Sequence, residues 1–102
     1  MTELNTVIVG TKYLGAAAVR TVAMMRPGME VALRREDHKY DHHAIQCHFY
    51  GVQVGYIPKI VNPPVALSMD RGQTATAVVT AAADIRGDKV RVEPKIIVRY
   101  GE

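Results

Sequence analysis

Residues 36–43 read Glu-Asp-His-Lys-Tyr-Asp-His-His: three acids, three histidines, one lysine and one tyrosine. Three kinds of chemistry fit such a segment. The simplest is a solvated loop in which Asp41 accepts backbone N–H bonds and holds a turn. The second is a metal site, since His38, His42 and His43 with Asp37 or Asp41 are suitable ligand types. Their spacing fits no familiar cage, and adjacent His42 and His43 point apart on extended backbone, so no metal is assigned. The third is nucleic-acid binding. Lys12-Tyr13, Tyr40-Asp41 and Tyr56-Ile57-Pro58-Lys59 each set a phenol ring near a charge. A tyrosine stacks on a base while its hydroxyl stays wet, and a lysine beside it meets phosphate. Nucleophilic catalysis is weaker. The lone Cys47 has no partner for an internal disulfide and falls on the inward face of an alternating run, as an inert core thiol does. No Gly-rich phosphate loop of the P-loop or Rossmann type occurs. No catalytic residue and no cofactor is assigned.

These residues need elements to hold them. Residues 6–11 (TVIVGT) are β-branched and read as a strand, with Lys12 and Tyr13 at its end. Residues 16–25 form a helix of about ten residues, closed by Arg26-Pro27-Gly28. Residues 29–35 alternate, with Met29, Val31 and Leu33 on one face. After the 36–43 loop, residues 44–49 alternate again, with Ile45, Cys47 and Phe49 inward. Tyr50-Gly51 makes a tight turn into residues 52–57, and this hairpin is the most secure in the chain. Asn62 before Pro63 and Pro64 reads as the N-cap of a second helix, stopped by Gly72. Residues 74–85 read as one long strand. Residues 86–89 turn it, and residues 90–100 return, with Pro94 marking an edge or a bulge. Six strands and two short helices, joined mostly by hairpins, fit a closed or nearly closed antiparallel barrel, because closure removes exposed edges. A split βα arrangement is the competing architecture.

The chain has 102 residues, enough for one domain and too few for two. Apolar residues at 48% against charged residues at 23% support a core and exclude disorder. A net charge of +3 is mildly basic, the sign expected for a nucleic-acid partner. No apolar run reaches ~18 residues, so no transmembrane helix is expected. The start lacks the basic head and apolar stretch of a secretory signal. With a single cysteine, an intracellular, reduced, cytoplasmic setting is expected.

Three segments in order resemble the HIRAN domain family: Val31-Ala32-Leu33-Arg34-Arg35-Glu36, then Tyr40-Asp41-His42-His43-Ala44-Ile45, then Val54-Gly55-Tyr56-Ile57-Pro58-Lys59. The family pattern is an apolar strand ending in Arg-Glu, an Asn-Pro-Tyr-Asp-like loop running into Ala-Ile, and a Val-Gly-Tyr strand closed by a basic residue. The likeness runs from about Val7 to about Pro94. HIRAN domains occur alone in bacteria and phages, and fused to helicase or nuclease modules elsewhere. The resemblance implies a mainly β fold, a small six-stranded antiparallel OB-like/SH3-like barrel with two helices.

It also implies a pocket for the 3′ end of single-stranded DNA. In that reading Tyr13 and Tyr40 stack on the end, Asp41 takes the 3′-hydroxyl, and Lys12 and Lys59 meet phosphates. His38 and Tyr56 are secondary contacts. Leu14 stands where the family has a further Tyr, His38 or Asp37 where it has an Asn, and Arg91 nearest a later aromatic. The expectation is a non-enzymatic single-stranded DNA-binding module for free 3′-hydroxyl ends, acting in DNA repair or replication-fork processing, with a helicase or nuclease as partner. The rivals are a protein-docking domain without nucleic-acid binding and, less favoured, a metal-dependent hydrolase built on the acid–His loop.

Overall fold

A computed structural model describes residues 1–101. The chain forms β1 (Thr2–Val7), a single 3-10 turn (Thr11–Leu14), α1 (Ala16–Val22), β2 (Glu30–Arg35), β3 (Ile45–Phe49) and β4 (Val52–Tyr56). There follow α2 (Asn62–Asp70), β5 (Ala75–Ala81), β6 (Asp84–Arg86), β7 (Lys89–Val92) and β8 (Lys95–Tyr100). Six strands make one antiparallel sheet in the order β1-β8-β5-β2-β3-β4, and β6-β7 is a separate hairpin.

The sheet curls until its two edges meet. Val9, just past β1, bridges antiparallel to Tyr56 at the end of β4. The Val9 amide donates to Tyr56 O at 2.9 Å and the Tyr56 amide to Val9 O at 2.8 Å. Gly55 makes this closure sterically possible: a Cβ there would lie 2.5 Å from both Ile8 Cγ2 and Val9 O. One residue pair thus turns an open sheet into the small OB-like barrel that the hairpin pattern leads one to expect, and removes its sticky edges. The Thr11 hydroxyl donates to Val54 O at 2.6 Å in the interior, fastening the 3-10 turn to β4.

The core lies inside the barrel. Ile45, Cys47 and Phe49 of β3 point inward, and meet Val31, Val79, Ile96 and Val98 from the other strands and Val22, Val65 and Ala66 from the helices. Each larger aliphatic or aromatic side chain buried there contributes roughly 1.5–3 kcal/mol.

Several boundaries differ from expectation. The first strand begins at Thr2, and Thr11 to Leu14 wind into a 3-10 turn, so Lys12 and Tyr13 sit on that turn rather than at a strand end. Helix α1 stops at Val22, where the Met24 and Met25 amides turn to carbonyls three residues back, those of Thr21 at 3.0 Å and Val22 at 3.1 Å, and Arg26 Nη1 donates to the carbonyls of Ala23 at 2.8 Å and Met25 at 3.0 Å. The expected 74–85 strand divides into β5 and β6, after a register shift between Val79 and Ala81. The expected 90–100 strand divides into β7 and β8, with Pro94 buried between them and its carbonyl accepting from the Ile8 amide at 3.1 Å. Asn62 is not a cap: Val61 holds that position, and Asn62 is the first helical residue, fully buried.

Candidate nucleic-acid interface

The acid–His loop is built around one tight turn and one clamp. The His38 amide donates to Asp41 O at 3.3 Å, and the Asp41 amide to His38 O at 3.0 Å, so residues 38–41 fold back on themselves. Lys39 and Tyr40 are left at the tip. The clamp is Arg35. Its position matches the inward parity of Val31 and Leu33, which brings the guanidinium under the loop rather than into solvent. It donates to Glu36 O at 2.9 Å, Ala44 O at 2.8 Å and His42 O at 2.9 Å. It also grips both carboxylate oxygens of Asp70 on α2, at 2.9 and 3.1 Å. The Arg35 hydrogen bond holds the Asp70 carboxyl below the usual carboxylate range. The fork geometry of guanidinium suits it to this role, joining a strand, a loop and a helix at once.

Asp41 is held as firmly. Its Oδ1 accepts the His43 amide at 3.0 Å and its Oδ2 accepts the side-chain amide of buried Asn62 at 2.9 Å. Partial burial alone pushes its carboxyl up. The His43 amide, the Asn62 amide and the Lys59 ammonium outweigh that and leave it below the usual range. A half-buried carboxylate therefore stays ionised at neutral pH, at the surface, with free lone pairs: each oxygen accepts about two bonds and holds one here.

The rings and cations fall on this loop, on the segment between β4 and α2, on the 3-10 turn and on β7. Tyr40 is 71% exposed and Tyr13 80%, each with a lysine over its ring at 4.9 Å, Lys39 and Lys12 respectively. Lys59 Nζ donates to Tyr40 O at 3.0 Å. Tyr40, Asp41 and Lys59 are thus joined by direct contacts. His38 turns back into the loop, with Nδ1 accepting the Tyr40 amide at 3.2 Å and its ring tilted against Tyr40. Tyr56 is half-buried, and its hydroxyl donates to Glu36 at 3.1 Å, which Gln46 also contacts. Gly10, which starts the 3-10 turn, faces the Tyr56 ring, where a Cβ would come within 3.7 Å. Tyr56 therefore lies between the loop and the turn that carries Lys12 and Tyr13. Arg91 is exposed on β7, which packs beside that turn, and makes no hydrogen bond or ion pair among the described residues.

Arg35, Asn62 and Glu36 position this surface, and reading the sequence for charge and rings overlooked them as site residues. For Arg35 the signal is a charge on an inward strand parity. For Asn62 and Glu36 no local signal exists, because their partners are distant in sequence.

Other chemistry has less to stand on. Among the described residues no three His, Cys, Asp or Glu side chains come together as a metal cage requires. His42 instead pairs with Asp37 at 3.1 Å. Burial pushes the Cys47 thiol up to about 12, so it is no nucleophile. No helix among the described residues is long and apolar enough to cross a membrane.

These features define a small OB-like barrel that carries exposed rings, cations and one anchored carboxylate. The HIRAN domain family matches residues 1–100, and the chain belongs to it. That family is one of DNA-binding modules. Among solved structures, a Lactobacillus plantarum protein is similar with a TM-score of 0.74 and 27% identity, over 95% of each chain. The HIRAN domain of human HLTF is similar with a TM-score of 0.71 and 23% identity, over 96% of this chain and 74% of that one, a likeness of fold. No curated protein matches the chain.

Proposed function

We propose that this HIRAN domain binds single-stranded DNA by capturing a free 3′-hydroxyl end. The observation that carries the reading is Asp41, an ionised carboxylate locked by Asn62 and the His43 amide beside an exposed ring and a lysine. An acceptor of that kind takes a strong, charge-assisted bond from a hydroxyl. It repels a phosphate at the same place, so attraction and repulsion select the same end. Tyr40 and Tyr13 stack on bases without reading them, each contributing roughly 1–3 kcal/mol, and Lys12 and Lys59 take the phosphates. His38 orients Tyr40, Tyr56 fixes the floor, and Arg91 flanks the 3-10 turn as a further cation. The domain binds without catalysing. It delivers a helicase or nuclease partner to DNA ends in repair or replication-fork processing.

Fluorescence anisotropy at low salt tests this with two labelled strands of one sequence, one with a free 3′-hydroxyl and one whose 3′ end is closed in a hairpin. The free end binds several-fold tighter on this reading. Equal binding removes end capture. No binding to either strand removes nucleic acid altogether and leaves protein docking.

A further inference from the structure

Tyr50 is the most exposed tyrosine, at 89%, and the one non-glycine residue with positive φ among the described residues, at 48°. It occupies the first turn position of the β3–β4 hairpin, before Gly51 at φ 81°. A two-residue turn with both φ values positive favours Asn-Gly, since Asn tolerates that conformation and a bulky side chain does not. The fold gains little from a tyrosine here beyond one edge-on contact with Phe49 at 4.6 Å. A strained, solvent-facing ring that the barrel does not use points to a role outside the fold.

Tyr50 is among the residues lining an open groove of about 850 Å³. The groove opens where the β2–β5 ladder ends: that ladder pairs Glu30 with Val78 and Val31 with Ala77, while β2 continues along β3 through Arg35. Small Ala32 and Thr76 keep it hollow, and His48, Glu30 and Arg99 line it with Tyr50. Hydrogen bonds link the groove to Tyr56, beside the acid–His loop. From Tyr56 a chain of contacts runs through Glu36 and Gln46 to His48, whose Nε2 lies 2.7 Å from Gln46 Oε1. Both donors in that chain go to Oε1 of the Glu36 carboxylate. Across from Gln46, Arg34 is exposed and makes no hydrogen bond or ion pair among the described residues.

We infer that Tyr50 and this groove bind the nucleotides that lie 5′ of the captured end, so that one strand runs from Asp41 along the outer face of β3 to a stacking platform at the hairpin tip. The inference rests on the end-capture reading. An exposed ring beside an open groove is a stacking surface rather than a closed peptide-anchor socket, and the free Arg34 meets phosphate on the way. The five residues of β3 span roughly 16 Å, within the reach of the ~4–16 nucleotides that one OB barrel holds. Arg99 is tied to Glu3 at 2.6 Å, and Glu30 stands at the rim, so affinity in the groove comes from stacking more than from charge.

The test compares oligothymidylates of about three and about ten nucleotides, both with free 3′-hydroxyls, on the natural protein and on Tyr50→Asn. Asparagine suits this turn, so the variant keeps or gains thermal stability. The natural protein binds the longer strand roughly ten-fold tighter. Tyr50→Asn keeps its affinity for the short strand and loses most of that advantage. Arg34→Ala lowers the salt dependence for the long strand alone. No length advantage in the natural protein overturns the inference. So does an advantage that survives in Tyr50→Asn, and the groove is then left to a peptide partner. A short strand bound without preference for its 3′-hydroxyl removes end capture, while the length series still decides the role of Tyr50.

Discussion

The side-chain amide of Asn62, buried at the start of α2, donates to Oδ2 of Asp41 at 2.9 Å. Asn62→Ala removes that donor but also an Oδ1 that has no partner, so part of the loss is offset. The expected cost is about 1 kcal/mol, at the low end for a buried hydrogen bond. The pH dependence is sharper. The Asp41 carboxyl is depressed in the folded state, so its contribution is full above the ordinary carboxylate range and fades as pH falls through its folded value. In Asn62→Ala the folded value lies closer to the ordinary one, so less stability is lost on acidification and the loss is complete at higher pH. Urea unfolding between about pH 5 and pH 2 measures this. Asp70 fades in the same window, and the difference between natural protein and variant isolates Asp41.

Arg35→Lys keeps the charge and loses the fork. One ammonium cannot serve the carbonyls of Glu36, His42 and Ala44 together with the carboxylate of Asp70. The expected loss is roughly 1–3 kcal/mol, because buried or half-buried acceptors are left unmet. Amide exchange localises it: protection falls at Glu36 and Ala44, whose amides bond across the loop, and holds in β8.

Gly55→Ala tests the seam of the barrel. The new methyl meets the Val9 carbonyl, a backbone atom that cannot swing aside. The expected cost is about 1–3 kcal/mol or somewhat more. Thermal unfolding reads it, and DNA affinity falls with it because the 3-10 turn bearing Lys12 and Tyr13 hangs on this seam.

Tyr13→Ala and Tyr40→Ala leave folding stability within about 0.5 kcal/mol, since both rings stand in solvent. Each weakens single-strand binding by roughly 1–3 kcal/mol. Lys12→Ala and Lys59→Ala each lower the slope of log affinity against log salt by about 0.7. Titrations at several salt concentrations separate the two effects: a tyrosine variant changes affinity at every salt alike, and a lysine variant changes the slope.

What the sequence reveals follows from the range of the interactions involved. The alternation of Ile45, Cys47 and Phe49 and the Tyr50-Gly51 turn are local, and the hairpin they encode forms as read. Closure depends on Val9 meeting Tyr56 across the whole sheet, and the pattern led only to the general expectation of a barrel. The strand break at residues 82–83 is hidden because apolar Ala82 and Ala83 continue the run; Pro94 signals the second irregularity, and the pairing of its carbonyl with the Ile8 amide makes it a full break. Rings and charges of the candidate surface are legible by type. The clamp of Arg35 and the anchor of Asn62 are not, because each acts through partners brought close only by the fold.

The most direct measurement is the affinity of the natural protein and of Asp41→Ala for one short strand ending in either a 3′-hydroxyl or a 3′-phosphate, with both proteins first shown to be folded. The natural protein binds the hydroxyl end tighter by at least about ten-fold, and Asp41→Ala binds the two ends nearly alike, with general affinity equal or higher. A preference that persists undiminished in Asp41→Ala contradicts the role given to this carboxylate.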